Sequence, residues 1–455
     1  MRKIRSLILL ILLAVLLCGA VQAQETEYIF RLRRDAVMPR SLSLAQCETV
    51  YAPEGIFLTD DAELIEELQL RGLLDLCAAN DTVTLMDLPI PTEELQALSW
   101  PRALTGYHGA AESGVTGKGI RVAVIDSGLS DPNEEFRAAT VDTGINFLAD
   151  EDTDARLDVS DNVGHGTNVC RMIASTTLGL APEVTLIPLK CFDAKTSSIA
   201  AVVSAIYTAV DEYDCHVINM SFGTLTENPL LAAAVTHGLE QGVIMVAAAG
   251  NLESISPDLH QEVSLYRYPA SQEGVISVGA LGQDKQIGTH SVRNDKVLIA
   301  APGSALPTIH PTTGANTLGT GTSFAAPFVT AAAALALSQD PDLTGEEFRT
   351  LLAATAEDLG TEGVDIYYGH GMLNVGLLLS AQRQDPAPTI TFDGSRYYAS
   401  AWRGAADLRT CVAAYEAGGK FLYTYLFEQV EELFLSNFPL PEEAARYHVI
   451  SFPGA

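Results

Sequence analysis

The fold is decided by the stretch Gly319-Thr320-Gly321-Thr322-Ser323-Phe324-Ala325-Ala326-Pro327, which joins a glycine-rich turn to the small and apolar residues 328–335. This composition predicts a buried helix that begins near Ser323. Pro327 lies close enough to that start to remove little of the backbone hydrogen bonding. The first-turn amides and the positive end of the helix dipole can stabilise an anion beside Ser323. A helix N-cap is the ordinary structural role of such a serine, but it leaves the glycines before it unexplained.

Two polar motifs precede this helix in the chain. The apolar strand candidate 122–125 ends in Asp126-Ser127-Gly128, and polar residues at the carboxyl end of a parallel strand face the ligand crevice. Gly164-His165-Gly166-Thr167 is the second motif, and its two glycines let other backbone segments approach while leaving the imidazole accessible. Taken alone, Asp126 is a turn residue and His165 a structural histidine as readily as they are functional groups.

Between residues 98 and 380, apolar strand candidates alternate with helix candidates. This alternation predicts an α/β domain of three layers, with a mostly parallel sheet covered by helices on both faces. The predicted strands are 120–125, 184–189, 217–220, 243–248 and 275–278, and the predicted helices are 198–210, 229–240, 323–337 and 345–354. Thr344 and Glu347 have the spacing of a capping box at the start of the last helix.

The segments 122–128, 164–167 and 321–327 resemble the three active-site motifs of the subtilisin-like serine proteases, in the family's order Asp, His, Ser. The separations are 39 and 158 residues. Four further segments match the family in order, namely 218–223 (INMSFG), 247–251 (AAAGN), 268–271 (YPAS) and 301–303 (APG).

The resemblance implies roles for individual residues. Ser323 would be the nucleophile, His165 the general base, and Asp126 the group that orients the imidazole. Asn251 would complete an oxyanion hole, and substrate would bind along Ser221, Phe222, Gly223, Ala249 and Gly250. The small residues and Phe222 indicate a pocket with an apolar or undemanding preference. The chemistry would need no cofactor.

The helix after His165 departs from the family pattern. It continues with Asn168-Val169-Cys170-Arg171, where the family usually has His, Val, Ala and Gly. Arg171 therefore argues against close packing of this helix.

The first 23 residues have the pattern of a secretory signal peptide. Arg2, Lys3 and Arg5 precede the uncharged run 7–21, and residues 21–23 offer a cleavage site. The run would span about 22 Å as a helix, which is shorter than the roughly 30 Å hydrocarbon core. We therefore predict a secreted protein with no membrane span after signal cleavage.

Residues 24–97 have a strand-helix-strand pattern followed by a linker, Leu88-Pro89-Ile90-Pro91. They resemble, loosely, the family's inhibitory prodomain, which would be removed by self-processing between about Asn80 and Leu98. Residues 381–455 form a C-terminal extension without a functional signal. Within it, residues 420–434 have acidic residues at a spacing compatible with a helix.

The charge balance limits the partners. Lys and Arg total 27 against 57 Asp and Glu, a formal net charge of −30, which argues against nucleic acid and leaves protein or peptide substrates and the prodomain. Carboxylates before Gly164 suit a structural Ca²⁺ or a solvated acidic loop equally well: Asp150, Asp152, Asp154, Asp158 and Asp161.

Two other classes of function remain to be weighed. An inactive relative that serves as a binding protein is disfavoured because all four chemical positions are filled. An esterase-type α/β hydrolase needs a Gly-x-Ser-x-Gly elbow and the order Ser, Asp, His, and the sequence has neither.

Overall fold

The computed structural model describes residues 27–34, 36, 39, 42–86, 100–107, 114–149, 153–252 and 266–382, and the backbone of six strands between 390 and 453. The predicted signal peptide, residues 1–23, lies outside the described residues. So does the predicted linker, residues 88–91.

The N-terminal unit is a small α+β structure. Its four antiparallel strands pair in the order β2-β3-β1-β4, and helix α1 follows β3. Asp61 caps α1 by accepting a hydrogen bond from the backbone N–H of Leu64 at 2.9 Å. Strand β5 continues the chain away from this sheet. The bounds are β1 Tyr28–Leu32, β2 Glu48–Tyr51, β3 Ile56–Thr59, α1 Ala62–Leu70, β4 Leu74–Ala79 and β5 Thr82–Leu85.

The predicted three-layer α/β domain is confirmed. Its central sheet is parallel, in the order β15-β14-β13-β11-β6-β9-β7, with β8 also paired to β9. The sheet strands are β6 Arg121–Asp126, β7 Thr140–Val141, β8 Ile145–Asn146, β9 Thr185–Lys190, β11 Val217–Met220, β13 Ile244–Ala248, β14 Ile276–Leu281 and β15 Val297–Pro302. Short strands outside it are β10 Thr196–Ser198, β12 Phe222–Gly223, β16 Leu306–Ile309 and β17 Asn316–Gly319.

Helices cover both faces of this sheet. They are α2 Trp100–Leu104, α3 His165–Ala174, α4 Ile199–Asp211, α5 Pro229–Glu240, α6 Thr322–Gln339, α7 Gly345–Thr355 and α8 Val375–Gln382. Along β6, Val122 and Val124 pack with α3 and α6, whereas Ala123 and Ile125 pack with α4 and α5. Successive strand residues point to opposite faces, so the uniformly apolar strands each contribute to two cores.

Local sequence signals placed several helix ends correctly. Helix α5 has the predicted bounds, and Ser198 precedes α4 as its N-cap, accepting a hydrogen bond from the Ala201 N–H at 3.2 Å. The capping box of Thr344 and Glu347 is present at the start of α7. Strand β15 was not predicted from the sequence.

Arg171 does not loosen helix α3, contrary to the sequence-based expectation. All ten residues of α3 are buried. Arg171 donates to both carboxylate oxygens of Glu135 at 3.0 Å and to the carbonyl oxygen of Pro307 at 3.2 Å. The guanidinium is therefore accommodated by a bidentate ion pair and does not disturb the packing.

The N-terminal unit packs on the helices of one face. The ring of Tyr51 stacks on Tyr207 of α4 with centroids 4.8 Å apart, and its hydroxyl donates to Asp211 at 2.7 Å. Ser204 of α4 donates to the carbonyl oxygen of Val50 at 2.9 Å. These contacts hold the N-terminal unit against α4.

The C-terminal extension contains strands where a helix was expected. Residues 420–434 include β21 Phe421–Glu428 and β22 Leu433–Phe434, so the helical interpretation was wrong. Aromatic residues at 421, 423, 425 and 427 repeat every second residue, which is the period of a strand. The other strands are β18 Ile390–Phe392, β19 Tyr397–Ala399, β20 Leu408–Glu416 and β23 Ala444–Pro453.

One helix among the described residues, α6, has the length and apolar composition of a membrane span. Within the protein, 89% of it is buried, as is typical of a core helix. The five cysteines in the described part of the chain are all free thiols.

Candidate active site

Asp126 and His165 form a buried pair at the carboxyl end of the sheet. Asp126 ends β6, and His165 is the first residue of α3. The Nδ1 atom of His165 lies 2.8 Å from Oδ1 and 2.9 Å from Oδ2 of Asp126. The backbone N–H of Ser127 also donates to Asp126 Oδ1 at 2.7 Å. This geometry fixes the imidazole and assigns the Nδ1 proton to the carboxylate contact.

The glycines around His165 allow this close approach. Gly164 has a φ of +91°, a conformation that residues with a Cβ rarely adopt. A Cβ at Gly166 would lie 2.3 Å from the carbonyl oxygen of Gly128 and 3.1 Å from the Cβ of Asp126. The turn after β6 and the start of α3 can therefore touch only because position 166 has no side chain.

Asp161 organises the loop that leads to His165. One of its oxygens accepts from the Ser127 hydroxyl at 2.9 Å and the Gly164 N–H at 2.8 Å, and the other accepts from the N–H and hydroxyl of Thr167 at 2.8 and 2.7 Å. The N–H of Val163 donates to it as well. With both oxygens engaged by protein donors, Asp161 does not fit the role of a calcium ligand. Among the residues that the structure describes, no three carboxylate, imidazole or thiol groups converge on a metal site, and Asp150 and Asp152 lie outside that part.

Ser323 is the second residue of α6, and its position is fixed by the sheet. The hydroxyl of Ser221 donates to the carbonyl oxygen of Ser323 at 2.8 Å, and the Asn219 amide donates to that hydroxyl at 2.8 Å. The ring of Phe324, the next residue, lies 5.4 Å from the imidazole of His165. The structure thus brings the predicted nucleophile and the Asp126–His165 pair to the same end of the sheet.

Asn251 lies just after β13, with its side chain oriented by Thr322. The backbone N–H and the hydroxyl of Thr322 each lie 3.1 Å from Asn251 Oδ1. Because a backbone N–H can only donate, the atom facing it must be the amide oxygen. The amide nitrogen of Asn251 therefore points away from Thr322. Gly250, which precedes it, donates its N–H to the Thr322 hydroxyl at 3.1 Å.

The other predicted substrate-binding residues form two walls of a cleft. Ser221, Phe222 and Gly223 extend from the end of β11 through β12, while Ala249 and Gly250 follow β13. The Ala249 N–H donates to the carbonyl oxygen of Val278 at 3.0 Å, which ties this second wall to the sheet.

Strand β5 of the N-terminal unit lies in this cleft. It is the middle strand of an antiparallel sheet between β10 and β12. Thr84 pairs with both Thr196 and Gly223, and Leu85 pairs with Phe222. Strand β5 thus lies in the cleft as an added strand, which is a common way for proteins to hold an extended peptide.

The segment in the cleft reaches the candidate nucleophile at Met86. The carbonyl oxygen of Met86 accepts hydrogen bonds from the backbone N–H of Ser323, at 3.2 Å, and from the Ser323 hydroxyl. The Met86 N–H donates to the carbonyl oxygen of Ser221 at 3.2 Å. The Met86 carbonyl group therefore lies against the candidate nucleophile, with the Ser323 N–H as a hydrogen-bond donor to its oxygen.

Sequence reasoning missed two residues of this site. Met86 lies in the interval expected to contain the maturation cut, but nothing local marks it. Arg267 is buried against Gly250, and a signal was present, since it immediately precedes the motif Tyr268-Pro269-Ala270-Ser271.

Comparison with known proteins shows which proteins the chain resembles. The model of the subtilase family matches residues 117–371. The chain is 29% identical over 365 residues to a thermostable alkaline protease of Halalkalibacterium halodurans, covering 79% of this chain and 93% of that protein. It is 34% identical over 268 residues to subtilisin DY of Bacillus licheniformis, covering 58% and 91%. Fervidolysin from Fervidobacterium pennivorans, a keratinolytic enzyme related to subtilisin, has a similar fold, with a TM-score of 0.65 at 18% identity, covering 94% of this chain and 76% of that one.

Proposed function

Because the chain belongs to the subtilase family and is a serine endopeptidase, we propose that it cleaves peptide bonds with Ser323, His165 and Asp126. The Oγ of Ser323 attacks the carbonyl carbon of the bound residue, and His165 takes the hydroxyl proton. Since Nδ1 faces Asp126, Nε2 is the nitrogen that accepts it. The same proton then goes to the leaving amine, and water hydrolyses the acyl-enzyme. No cofactor takes part in these steps.

The oxyanion of the tetrahedral intermediate is stabilised by two donors in this proposal. The Ser323 N–H already donates to the Met86 carbonyl oxygen. The Asn251 amide is the second donor, and Thr322 holds it by its oxygen end. Donors fixed before the reaction cost no reorganisation when the charge develops.

The chain's first substrate is its own N-terminal unit, cut between Met86 and Asp87. The observation that carries this proposal is the contact of one carbonyl oxygen, that of Met86, with both the N–H and the hydroxyl of Ser323. The strand pairing of β5 with β10 and β12 supports it. After the cut, residues 24–86 remain bound as an inhibitory prodomain, because their contacts with α4 are unchanged.

The remaining domain assignments follow the same scheme. Residues 1–23 direct secretion and are removed, and residues 98–380 contain the catalytic machinery, with α8 extending to Gln382. The partners are protein or peptide substrates and the prodomain. Residues 381–455 form an extension to which we assign no role.

Expression of the wild type beside Ser323→Ala tests the proposal. Mass measurement should show a mature chain that begins at Asp87 in the wild type, and an uncut chain in the variant. Ser338→Ala is the matched control, since Ser338 lies on the same helix and donates to the carbonyl oxygen of Leu335. Equal trimming of all three would show that another protease matures the chain, and a different new N-terminus would refute the assignment of Met86.

A fluorophosphonate probe and two substrates separate the alternative functions. Labelling that is lost in Ser323→Ala supports the enzyme, whereas an absence of labelling in the wild type would favour an inactive binding protein. Turnover of an ester substrate without peptide cleavage would favour the esterase.

A further inference from the structure

The cleft contains a buried cation that the proposed mechanism does not use. Arg267 is 2% exposed and is the largest fully buried side chain of the described residues. Its Nη1 donates to the carbonyl oxygen of Tyr266 at 3.2 Å, and no ion pair within the described part of the chain includes it. A guanidinium has five N–H donors, so most of its capacity is left for a further acceptor.

Arg267 lines the pocket that receives the Met86 side chain. A Cβ on Gly223 would lie 3.0 Å from Met86 Cε and 3.6 Å from Arg267 Cβ, so both side chains lie at the same wall. A Cβ on Gly250, at the opposite wall, would lie 2.4 Å from Arg267 Cγ and 3.3 Å from its Nε. The Arg267 side chain thus extends from near Gly223, where the Met86 methyl group also lies, towards Gly250.

The pocket walls leave room for this arginine because both positions are glycine. Gly250 also has a φ of +110°, so a larger residue there would be strained as well as in collision with Arg267. Among the described residues, the wall positions Phe222, Gly223, Ala249 and Gly250 carry no charge that could compensate a buried cation.

The guanidinium remains charged at neutral pH. Burial lowers the pKa of Arg267 to about 10, which still lies well above 7. A buried charge is costly unless an opposite charge or several hydrogen bonds compensate it. A carboxylate on the bound substrate would supply both, with bidentate geometry that suits a guanidinium.

We propose that Arg267 gives the endopeptidase a preference for an acidic side chain, glutamate above all, at the residue before the cut bond. This inference rests on the proposed function, since it concerns the same cleft. Met86 fits the pocket through its aliphatic chain, and glutamate has similar length with a carboxylate at its end. A lysine in the same place would bring a second cation against Arg267. The sequence-based expectation of an undemanding pocket is refined accordingly.

Four peptides that differ at one position test the preference. They are Val-Thr-Leu-X p-nitroanilides that copy residues 83–85, with X as Met, Gln, Glu or Lys. For the mature wild type we expect kcat/KM to be at least tenfold higher for Glu than for its neutral isostere Gln, and lowest for Lys. The chain's net charge of −30 repels acidic peptides at long range, so the assay is run at about 0.15 M salt, where such repulsion is screened beyond roughly 8 Å.

The ratio of kcat/KM for the Glu peptide to kcat/KM for the Gln peptide is taken within each enzyme, which cancels any general loss of activity. In Arg267→Gln the ratio should fall to about one or below, whereas Arg267→Lys should retain part of it. A wild-type ratio of one or less would overturn the proposal, and so would a high ratio that survives in Arg267→Gln. Failure to cleave any of the peptides would instead count against the proposed function.

Two further measurements do not depend on an Arg267 variant that folds. In the wild type, the ratio should decline as pH falls through about 4.3, where a glutamate side chain is protonated, while Gln itself does not titrate. In the full chain, the variant Met86→Glu should cut itself between residue 86 and Asp87, and the variant Met86→Lys should make the same cut at least tenfold more slowly. A flat ratio, or equal processing of the two chains, would contradict the inference.

Discussion

Removing the cation of the buried Arg171–Glu135 pair should destabilise the domain strongly. The two side chains are 3% and 9% exposed, and two parallel hydrogen bonds of 3.0 Å join them. In Arg171→Met, the Glu135 carboxylate retains the Thr177 hydroxyl, which donates at 2.6 Å, but loses its charge partner. Breaking one side of a buried pair typically costs about 3–5 kcal/mol of unfolding free energy. At about 2–4 °C per kcal/mol for a domain of this size, the melting temperature should fall by roughly 6–20 °C.

The matched control is the double variant Arg171→Met, Glu135→Gln. It removes both charges and keeps an acceptor for Thr177, so most of the loss should be recovered. All variants are made in a Ser323→Ala background to prevent autolysis, and unfolding free energies are measured by urea titration. A single variant that costs less than about 1 kcal/mol, or a double variant no more stable than the single, would refute this reasoning.

The pH dependence of stability provides an independent test of the same prediction. Burial by itself would raise the pKa of Glu135, but hydrogen bonds from Arg171 and Thr177 outweigh it, and the pKa is lowered. The wild-type pair therefore contributes stability above the ordinary carboxyl pKa, and that contribution is lost as pH falls through the lowered value. In Arg171→Met the effect of burial should prevail and raise the pKa of Glu135. The unfolding free energy that this variant loses relative to the wild type should therefore be smaller at pH 5 than at pH 8.

Three further outcomes are expected. Asn251→Asp keeps an acceptor for Thr322 but removes the amide donor, so kcat on a peptide anilide should fall roughly 10²–10³-fold; a fall of less than tenfold would exclude Asn251 from the oxyanion hole. Burial lowers the pKa of His290 from 6.5 to about 4, so the folded state resists protonation and stability should decline by about 3 kcal/mol as pH falls from 6.5 to 4. Urea midpoints should show this decline and lose it in His290→Gln, and an unchanged slope in that variant would contradict the assignment. Tyr51→Phe removes the hydrogen bond from the prodomain to Asp211, which is worth about 1 kcal/mol. After self-processing the prodomain should therefore dissociate roughly fivefold faster, and activity should appear correspondingly sooner. An unaltered lag before activity appears would show that this contact does not hold the prodomain.

Much of the fold could be predicted because its signals are local. Ser198, Asn228 and Thr344 cap the helices that follow them, and each acts on amides two or three residues away. Uniformly apolar strands indicated a sheet covered on both faces. The error at residues 420–434 arose because acidic residues at helical spacing were given more weight than aromatic residues that alternate.

The candidate site was predictable to the extent that it is carried by short motifs. Glycines around His165 and before Ser323 are informative because they permit close approaches that any side chain would block, as at Gly166. Arg171 illustrates the opposite case. Its charge suggested loose packing, and only the position of Glu135, 36 residues earlier in the chain, shows that the charge is compensated.

The sequence by itself determined the family resemblance, the candidate triad and the helix caps, because each is carried by short motifs whose own residues lie within a few positions of one another. The tertiary structure alone decided which bond lies at the nucleophile, since Met86 and Ser323 are 237 residues apart and meet only when β5 pairs with β10 and β12. It likewise decided that Arg267 lines the substrate pocket. Contacts of this kind depend on how distant segments pack, and a buried charge acquires its meaning from the groups that the fold places around it.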